Sequence, residues 1–271
     1  MTYIFPISDV HIGMREEFYE EKNIRRALGF LEEYGKDIIM CCCGDIGDRY
    51  TGILWITKVL ECFPELRVVY TPGNHEFYGT NIDVLQYDLW KAGHQIDRLY
   101  VLDGQYVFKH EIDGISFIGA TLWTDFNKNA PAVKNIVQRD MNDYRTIFSG
   151  GSYKLITTDR IFNEHCEQRK AIYKKLNSLT TEKCVVMSHH SPIPTHEGHA
   201  GDMLTYGYCS DLSFMLEEAQ HVPQYWLSGH THSSVVKHRE FPNGETMFVS
   251  NQMGYPTEFN TGYTDACILE V

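Results

Sequence analysis

The sequence predicts an α/β protein in which two sheets pack against each other and helices cover the outside. Over the first 92 residues, short apolar runs alternate with segments of helical periodicity. Beyond about residue 106 the chain changes to short strand-like runs, with one long helical pattern among them. Repeated strand–helix–strand units require a largely parallel sheet whose faces are covered by the crossover helices. The later run of strands supplies a second sheet. The whole chain, 1–271, reads as one domain, with no repeat, low-complexity tract or Pro/Ser-rich linker.

Each element rests on a local signal. Residues 3–8, 37–43 and 66–71 are short apolar runs suited to buried strands. Between them Ile24, Ala27, Leu28 and Leu31 mark one helix face, and Ile53, Ile56 and Leu60 a second. Ile82, Leu85 and Leu89 mark a third, after a start signal at Thr80 and Asn81. Residues 106–110 and 115–120 flank Asp113-Gly114, a hairpin signal. Residues 124–158 read as an irregular insertion rich in Asn, Asp and Gly. A helix is expected over about 159–179, with Ile172, Leu176 and Leu179 on one face, then a strand over 183–188. Residues 191–211 read as a second inserted loop, long enough to suggest function or mobility. Short strands at 224–228, 234–238, 246–250 and 266–270 finish the chain.

Composition narrows the function. No run approaches the roughly 18 apolar residues of a membrane helix, so no membrane span is expected. The net charge is −12, from 24 Lys+Arg against 36 Asp+Glu, and no basic cluster breaks it. Proteins that grip a polymeric phosphate backbone usually carry basic patches, so long nucleic acid is not the expected partner. The eight cysteines include three in a row, Cys41, Cys42 and Cys43, which alternate faces on a strand and make a poor disulfide framework. Buried thiols in a reducing cytoplasm are the expectation. The chemistry-bearing segments begin at Asp9, which leaves no room before them for a cleaved leader.

Five segments follow apolar runs, where open α/β sheets gather ligands. In Asp9-Val10-His11 the two polar residues are two apart and share a face of extended chain, so a carboxylate and an imidazole can bind one cation together. In Gly44-Asp45-Ile46-Gly47-Asp48-Arg49 the Asp45 carboxylate has lone pairs for two cations. The same hexapeptide also reads as a polar turn with Asp48 as a helix N-cap. Pro72-Gly73-Asn74-His75-Glu76 offers a neutral oxygen to a hard cation, next to a histidine free for proton transfer. A strand ends in His189-His190, and Ser228-Gly229-His230-Thr231-His232 repeats the two-apart spacing with two imidazoles. His196 and His199, in the second inserted loop, are candidates to touch substrate. So are Trp123, Phe126 and Tyr144, which can stack on a ring, although aromatics near a strand end are also core material.

The order D-x-H, G-D-x-x-D, G-N-H-E, H-H and G-H-x-H resembles the calcineurin-like metallophosphoesterases. That family includes purple acid phosphatases, Ser/Thr phosphatases, cyclic-nucleotide phosphodiesterases and repair nucleases. The motifs span residues 9–232. The resemblance implies a four-layer α/β/β/α sandwich and two divalent metal ions. Asp9, His11 and His232 would ligate one metal, Asn74, His189 and His230 the other, and Asp45 would bridge them. It further implies that His75 is the catalytic histidine held by Asp48, and makes Arg49, which follows the motif, a candidate to contact phosphate. An oxygen and nitrogen ligand set without Cys suits Mn²⁺ first, with Fe or Zn²⁺ as alternatives. The implied reaction is in-line attack at phosphorus by a metal-bridging hydroxide. The expected substrate is a small phosphoester, with diesters ahead of monoesters. A nuclease of the same family is the alternative reading, and a non-catalytic scaffold is disfavoured by the complete ligand set.

Overall fold

The strand Ile38–Cys43 is buried along its whole length, and its alternating side chains feed two different cores. Ile38, Met40 and Cys42 join a cluster under the helices, while Ile39, Cys41 and Cys43 face the other sheet. The computed structural model describes residues 1–102, 109–151, 153–180, 183–194 and 202–271. Its strands are β1 (Tyr3–Ile7), β2 (Ile38–Cys43), β3 (Arg67–Thr71), β4 (Leu99–Val101), β5 (Lys109–Ile112), β6 (Ile115–Ala120), β7 (Phe148–Ser149), β8 (Lys154–Leu155), β9 (Lys183–Ser188), β10 (Tyr225–Leu227), β11 (Val235–Phe241), β12 (Gly244–Ser250) and β13 (Leu269–Glu270).

One sheet has the order β13-β1-β2-β3-β4, parallel except for β13, and the other has β11-β12-β10-β9-β6-β5, parallel in its centre and antiparallel at both edges. Helices Glu21–Leu28, Thr51–Cys62 and Ile82–Gln95 cover the first sheet through Ile24, Leu28, Ile56, Val59, Leu85 and Leu89. The 19-residue helix Thr158–Leu176 covers the second with Ile172 and Leu176. Between the sheets lie Ile4, Val69, Phe117, Val185, Leu227 and Val249. The result is the α/β/β/α sandwich that the resemblance implies. Among the described residues no helix is long and apolar enough to cross a membrane. All eight cysteines are free thiols, six of them buried.

Several elements differ from the sequence reading. The first helix ends at Leu28, and Leu31 sits in a following 3₁₀ segment, Gly29–Asp37. Residues 124–158 are not irregular throughout. They contain a helix at Pro131–Asp140 and the small β7–β8 hairpin. Pro131 suits the first helical turn, and Val133 and Val137, four residues apart, are buried; surrounding polar residues hide this two-residue apolar stripe. β4 and the helix Ser213–Glu218 were unanticipated because each carries only a few apolar residues. The last strand shrinks to two residues. Within the second inserted loop, Met203–Gly207 forms a 3₁₀ turn, while His196 and His199 lie outside the described residues, as do residues 106–108 of the expected hairpin.

Candidate metal centre

The parallel strands β1, β2, β3, β9 and β10 all point their carboxyl ends to one edge of the sandwich. The five motif segments follow those ends directly. Backbone bonds knit their loops together: Asp9 N donates to Gly44 O at 3.1 Å, His11 N to Asp45 O at 3.0 Å, and Gly229 N to His189 O at 2.9 Å. Glu76 organises the second and third loops. Its buried carboxylate accepts from the backbone N–H groups of Gly73 (2.7 Å), Asp45 (2.9 Å), Ile46 (2.8 Å) and Gly47 (3.3 Å). These bonds offset part of the cost of burying a carboxylate, and burial and the neighbouring Asp45 still raise its pKa to about 7. Gly73 allows the approach, since a Cβ there would lie 2.2 Å from Asp45 Oδ1. The backbone is left-handed at Asp9 (φ 55°), His11 (49°), Asp45 (52°), His230 (73°) and His232 (49°).

Two donor groups result. Asp9, His11 and His232 bring one ligand atom each to within 4.8 Å of one another, as do Asp45, His189 and His230. His11 Nε2 and His232 Nε2 face each other at 3.1 Å, and His232 Nε2 lies 3.4 Å from Asp9 Oδ1. His189 Nδ1 donates to Cys43 O at 2.9 Å, so in the neutral ring its Nε2 carries a lone pair. That lone pair meets Asn74 Oδ1 at 2.9 Å, His230 Nδ1 at 3.1 Å and Asp45 Oδ2 at 3.4 Å. Buried acceptors aimed at one another are tolerable only around a positive charge. The donor set therefore fits divalent cations, with oxygen and imidazole ligands and no thiolate.

Electrostatics agree with that demand for positive charge. Burial alone would push the His189 imidazole down, but Asp45, Asp9 and the Cys43 carbonyl together outweigh it and the pKa rises to about 10. Burial likewise opposes protonation of His75, and Asp45 and Asp48 overcome it to give about 9. His11 is lowered to about 4 by burial, against the pull of Asp45 and Asp9.

His75 belongs with His11 and Asp45 in a third close group. Its Nδ1 lies 3.3 Å from Asp48 Oδ1, its Nε2 3.2 Å from the Tyr255 hydroxyl, and its ring stacks on Tyr78 at 4.1 Å. Asn74 Nδ2 donates to Asp143 Oδ1 at 2.9 Å, so the amide oxygen turns toward His189. Arg49 is not brought to this group. Its Nε donates to the Tyr78 carbonyl at 3.2 Å, and it does not line the adjoining cavity. Trp123, Phe126 and Tyr144 are buried core, whereas Tyr78, Tyr208 and Tyr255 line the cavity.

The cavity measures about 380 Å³ and opens over Asp45, Asn74, His75, His230 and His232. Asp140, Asp143 and Glu258 also line it, and among the described residues no lysine or arginine does. Sequence reasoning gave no role to Glu76, although it quoted the residue in its motif. Asp143 lay in the insertion read as irregular, and Tyr255 and Glu258 come after the last motif, so no spacing pointed to them.

The sandwich and its paired donor groups define a class of protein: hydrolases that hold phosphoesters at a dinuclear metal centre. The sequence pattern of the calcineurin-like phosphoesterases matches residues 4–234, and this chain belongs to that family. It is a hydrolase of phosphoester bonds. It is similar to Uncharacterized protein L509 of Acanthamoeba polyphaga mimivirus, 25% identical over 276 residues, covering 94% of this chain and 91% of that protein. Its fold is similar to that of the phosphopantetheinyl hydrolase (PptH) from Mycobacterium tuberculosis, with a TM-score of 0.65 and 16% identity, covering 94% of this chain and 90% of that one.

Proposed function

We propose that this chain hydrolyses small phosphodiesters in the cytoplasm, acting as one domain with two divalent cations, Mn²⁺ first among them. The observation that carries this reading is the position of Asp45, whose carboxylate is close to both donor groups and to His75. Asp9, His11, His232 and Asp45 would hold one cation, and Asn74, His189, His230 and Asp45 the other. When bound, the cations supply a water of lowered pKa and neutralise charge growing on the phosphoryl oxygens.

The chain's own residues do the rest. Asp48 orients the His75 ring and favours its charged form, and Tyr78 holds its plane. Nε2 then faces the cavity, where it gives a proton to the departing alkoxide. The Tyr255 hydroxyl holds that nitrogen in the meantime. Asp143 fixes which end of the Asn74 amide faces the centre. Arg49, which sequence motif alone would assign to phosphate, has no part in this arrangement.

The preference for diesters rests on charge. A monoester dianion carries one more negative charge than a diester, and the cavity wall offers Asp140, Asp143 and Glu258 and, among the described residues, no lysine or arginine. The net charge of −12 opposes polyanions in the same way. The test is a panel of mono-, di- and cyclic phosphoesters, a phosphopantetheinyl ester and DNA, with added Mn²⁺ and elemental analysis of protein prepared without chelator. Close to two metal ions per chain and fastest turnover of a small diester are expected. Metal content near zero after Mn²⁺ is supplied would sink the dinuclear reading. DNA degraded faster than every small diester at moderate salt, where long-range repulsion is largely screened, would favour the nuclease reading instead.

A further inference from the structure

The segment from Asn251 to Glu258 lies beyond the family match, which ends at residue 234, yet it is built into the centre. Ser8 N donates to Asn251 O at 3.2 Å and Met253 N to Ser8 O at 3.0 Å, so the segment runs beside the loop that carries Asp9. Gln252 Oε1 accepts from His232 N at 2.6 Å, and its Nε2 donates to Thr231 Oγ1 and Ser233 O, both at 2.9 Å. Arg15 staples the same segment from the other side: its Nε donates to Val10 O at 3.0 Å and a terminal nitrogen to Gly254 O at 2.9 Å. Gly254 has φ 72°, and a Cβ there would meet Glu258 Oε2 and Thr261 Cγ2, both at 2.7 Å. The backbone is therefore shaped to let one carboxylate pass close by.

That carboxylate is Glu258. Its Oε2 accepts from His232 Nδ1 at 2.5 Å and from Tyr255 N at 2.7 Å. The four candidate imidazole ligands differ in how the nitrogen facing away from the donor cluster is held. His189 uses the Cys43 carbonyl, while His11 Nδ1 and His230 Nε2 are buried with no hydrogen-bond partner among the described residues. Of the four, His232 alone is held by an anion among the described residues. A neutral imidazole that donates from Nδ1 must present Nε2 as a lone pair, and a carboxylate acceptor makes that lone pair more basic.

We propose that Glu258 is a positioning residue for His232. It fixes the tautomer and ring angle that aim Nε2 at Asp9 and His11, and so sets the affinity of one cation site and not the other. The proposal rests on the dinuclear reading above.

The test is a Mn²⁺ titration of the full chain by calorimetry and electron paramagnetic resonance, with wild type, Glu258→Ala, Glu258→Gln and, as a control, Phe259→Ala, whose side chain is 85% exposed. Removing the partner of a metal-bound histidine typically lowers affinity about 10–100-fold. Glu258→Ala should lose that much at one site, with the second site unchanged and the resonance shifting from coupled pairs toward isolated Mn²⁺. Glu258→Gln keeps a hydrogen-bond acceptor for both His232 and Tyr255 but loses the charge, so its loss should be smaller and on the same site. Phe259→Ala should match wild type. If wild type binds no Mn²⁺, the dinuclear reading fails. If wild type binds two ions and both Glu258 variants bind them equally well, or lose both sites together, Glu258 does not position His232. Should Glu258→Ala fail to fold in chelator, Glu258→Gln alone decides between these outcomes.

Discussion

Asp45→Ala should empty both cation sites at once and lower kcat/KM by at least about 10³-fold. Metal-ion stabilisation of transition-state charge is worth several kcal/mol, and each ~1.4 kcal/mol is a factor of ten. Asp45 is singled out because its carboxylate reaches toward both halves of the centre. Oδ2 lies 3.4 Å from His189 Nε2, and a carboxylate oxygen also lies within 4.8 Å of ligand atoms of His11 and His75. Asn74→Ala is the contrast. Its oxygen meets His189 at 2.9 Å, in the donor group that lacks Asp9, so the site containing Asp9 should keep its ion. Elemental analysis of both variants beside wild type measures this, and Asp45→Asn repeats the test in a shape that keeps the bond Oδ1 accepts from His75 N at 2.8 Å. Two ions retained in Asp45→Ala would show that the two donor groups are independent.

His75→Ala should keep its metal and lose activity in a way that depends on the leaving group. An alkoxide needs its proton in the transition state, whereas nitrophenolate departs nearly unaided, and general acid catalysis contributes about 10²–10⁴-fold. Alkyl diesters should therefore lose most of their turnover and nitrophenyl esters far less. Asp48→Asn should give the same pattern more weakly. It leaves the imidazole in place and removes the charged group that orients it, and Asp48 is more than half exposed, which weakens its field. Rates on both ester types with metal content in parallel decide the matter. Equal losses on the two esters would mean that His75 only positions phosphate, and loss of metal would make it a ligand.

The layers and the centre were legible to different degrees. Fully apolar runs such as Cys41–Cys43 and Val185–Met187 announced central strands, because a strand covered on both faces has no polar alternation to lose. The candidate donors were legible because each sits immediately after such a strand in a short motif. What remained hidden depends on contacts across long sequence separations. Glu258 meets His232 from 26 residues away and Asp143 meets Asn74 from 69. Neither pairing leaves a periodicity or spacing in the chain. For Arg49, whose place beside a motif suggested a phosphate contact, nothing in the sequence announced the left-handed backbone (φ 54°) or the bond from its Nε to the Tyr78 carbonyl.

The left-handed backbone at Asp9, His11, Asp45, His230 and His232 bears on how the protein tolerates substitution. A side chain with a Cβ costs roughly 1–2 kcal/mol in that conformation, and glycine adopts it freely. At these five positions the backbone conformation by itself favours a residue that cannot bind a cation. Heat resistance and turnover pull apart there, so selection for thermal survival of the metal-free protein, blind to activity, would drift toward glycine and erase the centre while leaving the sandwich intact.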